Sequence, residues 1–317
     1  MILVTGGTGF IGSLLIEKLL LKGSSVLAIK RKHSTIPERL LYKKNLFWFD
    51  ADITDYFSLE DVFNNVSQVY HCAGLVSFDS KDKAALEKVN VEGTTHIVNL
   101  CLHRKARLLH VSSVAALGEE RDDVLITESS KWEWNKNKSA YSISKFESER
   151  EVWRGMAEGL NAVIINPSIV LGADDRENSG QIFSQLEKGL KFYPTGSTGF
   201  VDVHDLVDIM IRLMNDDQIN GTNFLINSVN ISYQELFEQY AEIRKITPPE
   251  TPANRLMLGI AWRTQSILRL LKLSKSKLTK ELVRSARKKN KYSNDKIVKT
   301  LQYTFKPLKE TLRDIAE

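Results

Sequence analysis

The stretch TGGTGFIG, Thr5 to Gly12, decides the fold of this chain. It lies between a predicted buried strand, Ile2 to Thr5, and a predicted helix, Gly9 to Lys22. In this setting the first glycine permits a tight turn, the second lets the backbone approach a pyrophosphate, and the third lets the helix pack close to the sheet. Loop amides and the helix dipole then hold the phosphates. The residues predicted here to bind a dinucleotide cofactor are Gly6, Thr8, Gly9, Phe10, Ile11 and Gly12.

The alternation of strand and helix continues along the chain. Further strands are predicted at Ser25–Lys30, Leu46–Phe49, Val69–Cys72, Leu108–Ser112 and Ala162–Ile165, and helices at Lys81–His103 and Ser139–Glu158. This order predicts βαβ units with right-handed crossovers and a parallel sheet covered on both faces. The fold class is therefore α/β, a Rossmann-type doubly wound parallel sheet with a smaller, mostly helical C-terminal substrate lobe.

Beyond residue 167 the alternation weakens. Gly172–Gly199 is predicted as loop, Val201–Met214 as helix, Phe224–Asn227 as a late strand, and the chain from Ile231 as mostly helical. We expect residues 1–166 with 200–229 to form the dinucleotide-binding domain, and residues 167–199 with 230–317 to form the lobe. Within the lobe, residues 254–290 combine apolar helical spacing with a basic run. A helix packed on the core is favoured there, and an interfacial membrane helix is the alternative.

The composition of the 317 residues is that of a globular enzyme, with 42% hydrophobic and 26% charged residues and a net charge of +5. The two cysteines, Cys72 and Cys101, lie outside any cluster, so neither a metal site nor a disulfide framework is predicted. No apolar run approaches the roughly 18 residues of a membrane span, and no leader peptide is expected. No nucleic-acid motif accompanies the positive charge. A cytoplasmic protein is the expectation.

The residues after the second strand predict which cofactor is bound. An NAD site usually places a carboxylate here to bind the adenine ribose, but Ile29 to Ser34 contains none. Arg31 and Lys32 suit the 2′-phosphate of NADP(H) instead, and a guanidinium can bind phosphate in bidentate fashion. A solvated charged turn is the alternative. After the third strand, Asp52 and Ile53 are predicted to line the adenine edge, although an Asp there could equally cap the next helix.

The sequence YSISK, Tyr141 to Lys145, predicts the catalytic chemistry. A spacing of four places both side chains on one face of a helix. A lysine ammonium near a phenol lowers its pKa, so the tyrosine can exchange a proton near neutral pH. Ser113, at the end of the fifth strand, is expected at the edge of the sheet where ligands of open α/β folds bind, and it can hydrogen-bond a substrate oxygen.

With these motifs in place, the chain resembles the extended short-chain dehydrogenase/reductase superfamily, in its epimerase/dehydratase-like group. The C-terminal stretch LTKELVRSARKKNKYSNDK resembles the dihydroflavonol-reductase-like and 3β-hydroxysteroid-dehydrogenase-like branch. The matching pieces run in family order and are TGGTGFIG, DADITD, HCAG, NVEGT, VSSVAALG, YSISK, NPSIVLG, FVDVHDLV, YSNDKIVKTL and FKPLKETL.

The resemblance implies roles for the matched residues. Tyr141 would be the proton donor or acceptor, Lys145 its activator and ribose ligand, and Ser113 the group that orients the carbonyl. Asn90 would help to hold the active-site backbone or a water. Further cofactor contacts implied by the resemblance are Cys72, Ala73 and Gly74, with Pro167, Ser168 and Ile169 near the nicotinamide. The resemblance also admits a homodimer.

Three activities compete within the superfamily. Dehydratases follow the Ser113 position with an Asp–Glu pair, whereas Val114 and Ala115 stand here. Sugar-nucleotide epimerases carry Arg–Asp before the Phe-Val-x-Val motif, whereas Thr198 and Gly199 stand here. We therefore expect an NADP(H)-dependent oxidoreductase that reduces a small-molecule aldehyde or ketone to an alcohol. A nucleotide-sugar epimerase is the first alternative, and a non-catalytic dinucleotide-binding sensor is the second.

Overall fold

A parallel sheet forms the centre of the molecule in the computed structural model, which describes residues 1–121, 124–136, 138–175, 180–253 and 279–317. The strands in chain order are β1 (Ile2–Thr5), β2 (Val26–Lys30), β3 (Leu46–Asp50), β4 (Gln68–His71), β5 (Arg107–Val111), β6 (Leu125–Ile126), β7 (Ala162–Pro167), β8 (Ile169–Leu171), β9 (Phe192–Tyr193), β10 (Ser197–Asp202), β11 (Thr222–Ile226), β12 (Val229–Ser232), β13 (Thr251–Pro252) and β14 (Lys291–Tyr292). The helices are α1 (Phe10–Leu21), α2 (Tyr56–Glu60), α3 (Lys83–Leu86), α4 (Gly93–Arg104), α5 (Ala140–Ala157), α6 (Gly180–Glu187), α7 (Val203–Asn215), α8 (Tyr233–Arg244), α9 (Lys280–Ser285), α10 (Asp295–Leu301) and α11 (Leu308–Ala316).

Seven strands lie side by side in the order β11-β7-β5-β4-β1-β2-β3, and each neighbouring pair is parallel. Apolar clusters cover both faces of this sheet, so its inner strands are almost wholly buried. The chain runs outward from β1 to β3 on one side and from β4 to β11 on the other. The carboxyl ends of β1 and β4 therefore form the switch point at which open α/β sheets bind ligands. The predicted fold class is confirmed.

The C-terminal lobe holds more regular structure than its composition predicts. The expectation of a loop at Gly172–Gly199 is wrong, because α6, β9 and the start of β10 lie there. Phe183 of α6 is buried, and its ring lies 4.6 Å from that of Tyr240 on α8. Strand β10 pairs with β8 and β12 in a separate three-stranded sheet. The proposed domain boundary at residue 200 falls inside β10, and the two-domain division stays a proposal.

Other predicted elements shift at their ends. The helix expected from Val201 begins at Val203, because Val201 still pairs with Val170 and Asp202 caps the helix by accepting from the amide of His204. The single helix expected at Lys81–His103 contains a π-helical turn, Glu87–Glu92, between α3 and α4. Most of the basic segment 254–290 lies outside the described residues. Among the helices that the structure describes, each is too short or too polar to cross a bilayer.

Candidate active site

The loop after β1 is so tight that it requires glycine. Gly6 has a left-handed backbone with φ of +66°, and a Cβ atom there would lie 2.7 Å from the amide nitrogen of Ala73. A Cβ atom on Gly12 would lie 2.3 Å from the carbonyl oxygen of Gly6. The amide of Gly9 donates to that same carbonyl at 3.0 Å. The loop after β1 therefore contacts the loop after β4, directly at the switch point of the sheet.

The first turn of α1 offers open hydrogen-bond donors. Its N-cap residue, Gly9, has no side chain to accept from the first amides, and those amides have no acceptor inside a helix. The helix dipole adds partial positive charge at the same place. Phe10 packs beside Gly172, and Thr8 and Ile11 are half-buried. The loop and the helix end thus fit the pyrophosphate of a dinucleotide.

The end of β2 presents exposed cations. The neighbouring Lys30 is neutralised, because it forms an ion pair with Asp50 at the end of β3. Arg31 and Lys32 follow with exposed side chains, and the carbonyl of Arg31 accepts from the amide of Ser34 at 2.9 Å in a tight turn. Within the described part of the chain, no hydrogen bond or ion pair engages the guanidinium of Arg31. The Arg31 side chain, which was predicted to bind the 2′-phosphate of NADP(H), is therefore available for a ligand.

Asp52 and Ile53 contribute less side-chain surface than the sequence suggests. One carboxylate oxygen of Asp52 accepts from the amide and from the hydroxyl of Thr54, each at 2.9 Å. The cap of α2 is Asp55, so the helix-cap alternative for Asp52 is wrong. The Ile53 side chain is buried against Gly93 of α4. Both side chains therefore make contacts within the protein, Asp52 with Thr54 and Ile53 with Gly93, and leave little side-chain surface for a ligand.

A buried chain of hydrogen bonds connects the carboxyl ends of β1 and β4 to the start of α4. The amide of Ala73 donates to Thr5 Oγ1, which lies 2.7 Å from His71 Nδ1. On the other side of the ring, His71 Nε2 lies 3.0 Å from Thr94 Oγ1, whose hydroxyl donates to the carbonyl of Asn90. Because the Thr94 hydroxyl already donates to Asn90, Nε2 must donate, and a neutral histidine that accepts at Nδ1 completes the chain. Burial lowers the pKa of His71 to about 3, in agreement with this state.

Tyr141, Lys145 and Ser113 meet at the carboxyl end of β5. Tyr141 and Lys145 are both buried on α5, whose N-cap is Ser139, and Tyr141 hydrogen-bonds with Ser113. Lys145 Nζ donates to the carbonyl of Val111 at 2.9 Å. The same Nζ would lie 3.6 Å from a Cβ atom built on Gly74, in the loop after β4. The structure thus brings together the three residues that the sequence proposed for catalysis.

The electrostatics of this group differ from the simple expectation. Burial raises the pKa of Tyr141 above its ordinary value of 10, and the hydrogen bond with Ser113 opposes this shift only in part. The expected lowering of the Tyr141 pKa by Lys145 is not found, because burial sets the direction of the shift and the influence that opposes it is the Ser113 hydrogen bond. Burial lowers the pKa of Lys145 to about 8. At neutral pH the phenol is protonated and the lysine is charged.

Asn90 holds the loop after β4 against α5. Its side chain is buried in the π-helical turn, where Oδ1 accepts from the amide of Leu75 at 2.7 Å. Its Nδ2 donates to the carbonyl of Leu75 at 3.0 Å and to Ser144 Oγ at 2.9 Å. Cys72 and Ala73, in the same loop, are half-buried, and burial raises the pKa of the Cys72 thiol to about 12. The geometry agrees with a backbone-holding role for Asn90.

The turn after β7 contains an unpaired hydroxyl. Pro167 ends β7, and the amide of Ser168 donates to Ile226 of β11 at 3.0 Å. The Ser168 hydroxyl is buried without a hydrogen-bond partner among the described residues, and Ile169 beside it is half-buried. An orphaned buried hydroxyl is rare in proteins and suits a polar ligand group. This turn is compatible with the contact that the resemblance implied.

Sequence reasoning missed three side chains at the site. The ring of Phe78 lies 5.6 Å from that of Tyr141, and the carboxylate of Glu149 is buried one turn beyond Lys145. Asn166 donates to both Glu149 and the carbonyl of Ser113. Nothing in the local pattern marks Phe78, whereas Glu149 could have been noticed as a charged residue on the core-facing side of α5. In the described ranges, no group of three His, Cys, Asp or Glu could hold a metal ion.

The sheet, the glycine loop and the Tyr–Lys pair define a Rossmann-type enzyme that binds a nicotinamide dinucleotide. A profile of the NAD dependent epimerase/dehydratase family matches residues 2–227. Because the match extends over most of the chain, this protein belongs to that family. It is an enzyme of the extended short-chain dehydrogenase/reductase superfamily, as its motifs predicted.

Known proteins similar to this chain include both reductases and epimerases. Tetraketide alpha-pyrone reductase 2 of Arabidopsis thaliana is 30% identical over 249 residues, which cover 72% of this chain and 78% of that protein. UDP-glucose 4-epimerase of Vibrio cholerae is 26% identical over 253 residues, covering 76% of this chain and 74% of that protein. The solved structure of a Thermus thermophilus UDP-glucose 4-epimerase with NAD aligns with a TM-score of 0.79 at 20% identity, over 99% of this chain and 97% of that one.

Proposed function

We propose that this enzyme reduces an aldehyde or ketone to an alcohol with NADPH, and that Tyr141 donates the proton. The observation that carries the proposal is the meeting of Tyr141, Lys145 and Ser113 at the carboxyl end of β5. A protonated phenol, a nearby cation and a hydroxyl donor are the three groups that carbonyl reduction needs from a protein.

Each group has a separate part in the reaction. When bound, NADPH supplies the hydride that is added to the carbonyl carbon. The carbonyl oxygen takes the phenolic proton of Tyr141, so a neutral alcohol leaves and a phenolate remains. Lys145 stabilises that phenolate by its charge, and the Ser113 hydroxyl orients the carbonyl oxygen. Asn90 keeps the Leu75 backbone fixed against α5.

The preference for NADP(H) rests on charge at the end of β2. Arg31 and Lys32 are exposed there, and Asp50, the nearest carboxylate at the end of β3, is already paired with Lys30. A guanidinium can bind a 2′-phosphate through two parallel hydrogen bonds. The other proposed cofactor contacts are Gly6, Thr8, Gly9, Phe10, Ile11, Gly12, Asp52, Ile53, Cys72, Ala73, Gly74, Lys145, Pro167, Ser168 and Ile169.

The lack of room before Phe200 supports a carbonyl substrate over a sugar nucleotide. A sugar nucleotide brings a diphosphate, which needs a fixed cation. Gly199 lies in β10, and a Cβ atom there would lie 2.1 Å from Asn227 Oδ1 and 2.8 Å from the Tyr292 ring. Thr198 beside it is buried. An arginine at position 198 or 199 would have to displace this packing. The Arg–Asp pair of sugar-nucleotide epimerases therefore does not fit at these two positions of β10.

Epimerisation of a nucleotide sugar remains the second candidate, because the similarity to the Vibrio cholerae epimerase extends over three quarters of this chain. Two other cations, Lys188 and Lys191, are exposed in the lobe and could approach a diphosphate. Arg176, a third, lies outside the described residues. A homodimer also stays a prediction.

One assay separates the two candidates. The enzyme is given NADPH with a panel of aldehydes and ketones, and in parallel with UDP- and GDP-sugars, while the reduced-nicotinamide absorbance is followed. A reductase consumes NADPH in proportion to the alcohol formed. An epimerase returns its cofactor to the starting state in each cycle. Conversion of a nucleotide sugar without net change in absorbance would overturn the proposal and establish the second candidate.

A further inference from the structure

Helix α5 carries an acidic residue that the mechanism above does not use. Glu149 is only 5% exposed, whereas the other acidic residues in the middle of the helix lie at the surface in ion pairs, Glu147 with Arg150 and Glu151 with Arg154. Burying a carboxylate is costly unless hydrogen bonds and nearby charge compensate it. The position of Glu149, one helical turn after Lys145, indicates where that compensation comes from.

The carboxylate of Glu149 is held in place by Asn166. The Nδ2 group of Asn166 has two hydrogens, and it donates one hydrogen bond to Glu149 Oε1 and one to the carbonyl of Ser113 at 3.1 Å. The Oδ1 atom of Asn166 lies 3.4 Å from Asn223 Nδ2. The amide cannot rotate without losing all three contacts. Glu149 is therefore fixed between the two segments that carry Lys145 and Ser113.

Space beside Glu149 allows it to ionise. It is one of the residues that line a cavity of about 310 Å³, together with Asn223 and the stacked rings of Trp132 and Phe146, whose centroids are 4.0 Å apart. A cavity of this size and polarity has room for water. Burial raises the pKa of Glu149 to about 7, and its hydrogen bonds and Lys145 oppose that shift.

The charged and titratable groups around Glu149 are few. Lys145 and Arg150 lie on its own helix, and Glu128 lines the same cavity. Close to Lys145, burial and the Lys145 charge lower the pKa of His110, and burial raises the pKa of the Cys72 thiol, so both of these groups are neutral. Burial lowers the pKa of Lys145, and the carboxylate of Glu149 is the largest influence that raises it again.

We propose that Glu149 is a positioning residue, which keeps Lys145 charged for the proton transfer of Tyr141 and is fixed for this purpose by Asn166. The inference rests on the proposed function for its catalytic meaning. The electrostatic part of the proposal is that the charge of Glu149 raises the pKa of Lys145. This effect can be measured without any substrate. A failure of the reductase proposal and a failure of this one are therefore distinguishable.

The test is the titration of Lys145 in the full chain. Protein with carbon-13 lysine is titrated by NMR from neutral to alkaline pH, and the Lys145 signal is assigned by its loss in Lys145→Arg. In Glu149→Gln the midpoint should fall by about one pH unit, because an opposing charge has been removed. Glu147→Gln removes a surface carboxylate from the same helix and should leave the midpoint unchanged. Glu149→Asp keeps the charge and should restore most of the midpoint.

The unmodified protein gives a second measurement that needs no variant. Its Lys145 signal should show a smaller inflection near pH 7, where Glu149 ionises, before the main one near pH 8. In kinetics, the alkaline limb of the kcat profile should move with the Lys145 midpoint, so Glu149→Gln should lose about tenfold in kcat above that limb. An unchanged Lys145 midpoint in Glu149→Gln would overturn the proposal. A shifted midpoint in a protein that reduces no carbonyl would overturn only the proposed function.

Discussion

The two ends of the proposed cofactor crevice are built differently. At the end of β5, Tyr141 and Lys145 are buried, and the lysine ammonium is held by a main-chain carbonyl. At the end of β2, Arg31 and Lys32 are exposed, and no partner in the described structure engages the guanidinium. The protein itself sets the protonation and orientation of the first pair, whereas a ligand has to order the second.

This difference follows from what each end has to do. Proton transfer needs groups held in a fixed geometry at a low dielectric constant, so that their charges act strongly. Recognition of a phosphate at an exposed position needs a cation whose side chain can reach it, and a guanidinium adds two parallel hydrogen bonds to the attraction of the charges. Substitutions at the buried end should therefore change rates, and substitutions at the exposed end should change affinity. The predictions below test that contrast.

The largest effect is expected at the phenol. Tyr141→Phe removes the proposed proton donor but keeps the ring beside Phe78, so kcat should fall by about a hundredfold or more with cofactor affinity nearly intact. Steady-state kinetics and a cofactor titration measure the two quantities. Tyr42→Phe, at a fully exposed position, is the control and should behave as the unmodified enzyme. Normal turnover in Tyr141→Phe would remove the phenol from the mechanism.

Between the two ends, Gly6→Ala should destabilise the fold. The new Cβ atom would meet the Ala73 backbone at 2.7 Å, in addition to the strain of a left-handed backbone. We expect a loss of about 2–3 kcal/mol in the free energy of unfolding. Gly23→Ala has the same kind of backbone, φ of +81°, with open space around it, and should lose only about 1 kcal/mol. Equal losses in urea unfolding would show that contact with Ala73 is unimportant.

At the exposed end, Arg31→Ala should weaken NADP(H) binding by about 1.5–3 kcal/mol, the range of a hydrogen bond to a charged group, and leave NAD(H) little changed. Calorimetric titration with both cofactors measures this. Lys43→Ala, another exposed cation, controls for general charge and should lower neither affinity markedly. If the unmodified protein binds the two cofactors equally, the NADP(H) preference is wrong.

The last prediction concerns acid stability. Burial lowers the pKa of His71 and of His110 below the unfolded value of 6.5, so the unfolded chain binds more protons below that pH. Stability should be fully present above pH 6.5 and should be lost, as the pH falls, by about 1.4 kcal/mol per pH unit for each histidine. His110→Leu removes a ring whose nitrogens have no partner in the described structure and should halve the slope. His33→Gln, at an exposed position, should leave the slope unchanged.

The sequence predicted the sheet well because each strand signal is local. A run such as Ala162 to Ile165 is apolar throughout, as a strand buried on both faces must be. The glycine loop and the YSISK motif are equally local, since each contains its chemistry within a few residues. By contrast, α6 was missed because its apolar positions are surrounded by glycine and polar residues. Tertiary packing stabilises it as a helix, since Phe183 and Leu186 are buried in the core of the lobe and the Phe183 ring contacts Tyr240.

The sequence by itself determined the class of fold, the place of the phosphate loop and the identity of the Tyr–Lys pair, because these depend on spacing along one strand or one helix. Only the tertiary structure decided how those groups are charged. Burial raises the pKa of Tyr141. Lys145 of α5 donates to Val111 of β5, and Glu149 of α5 accepts from Asn166 of β7. Burial and contacts between distant segments exist only after folding, so no pattern within a short window can reveal them.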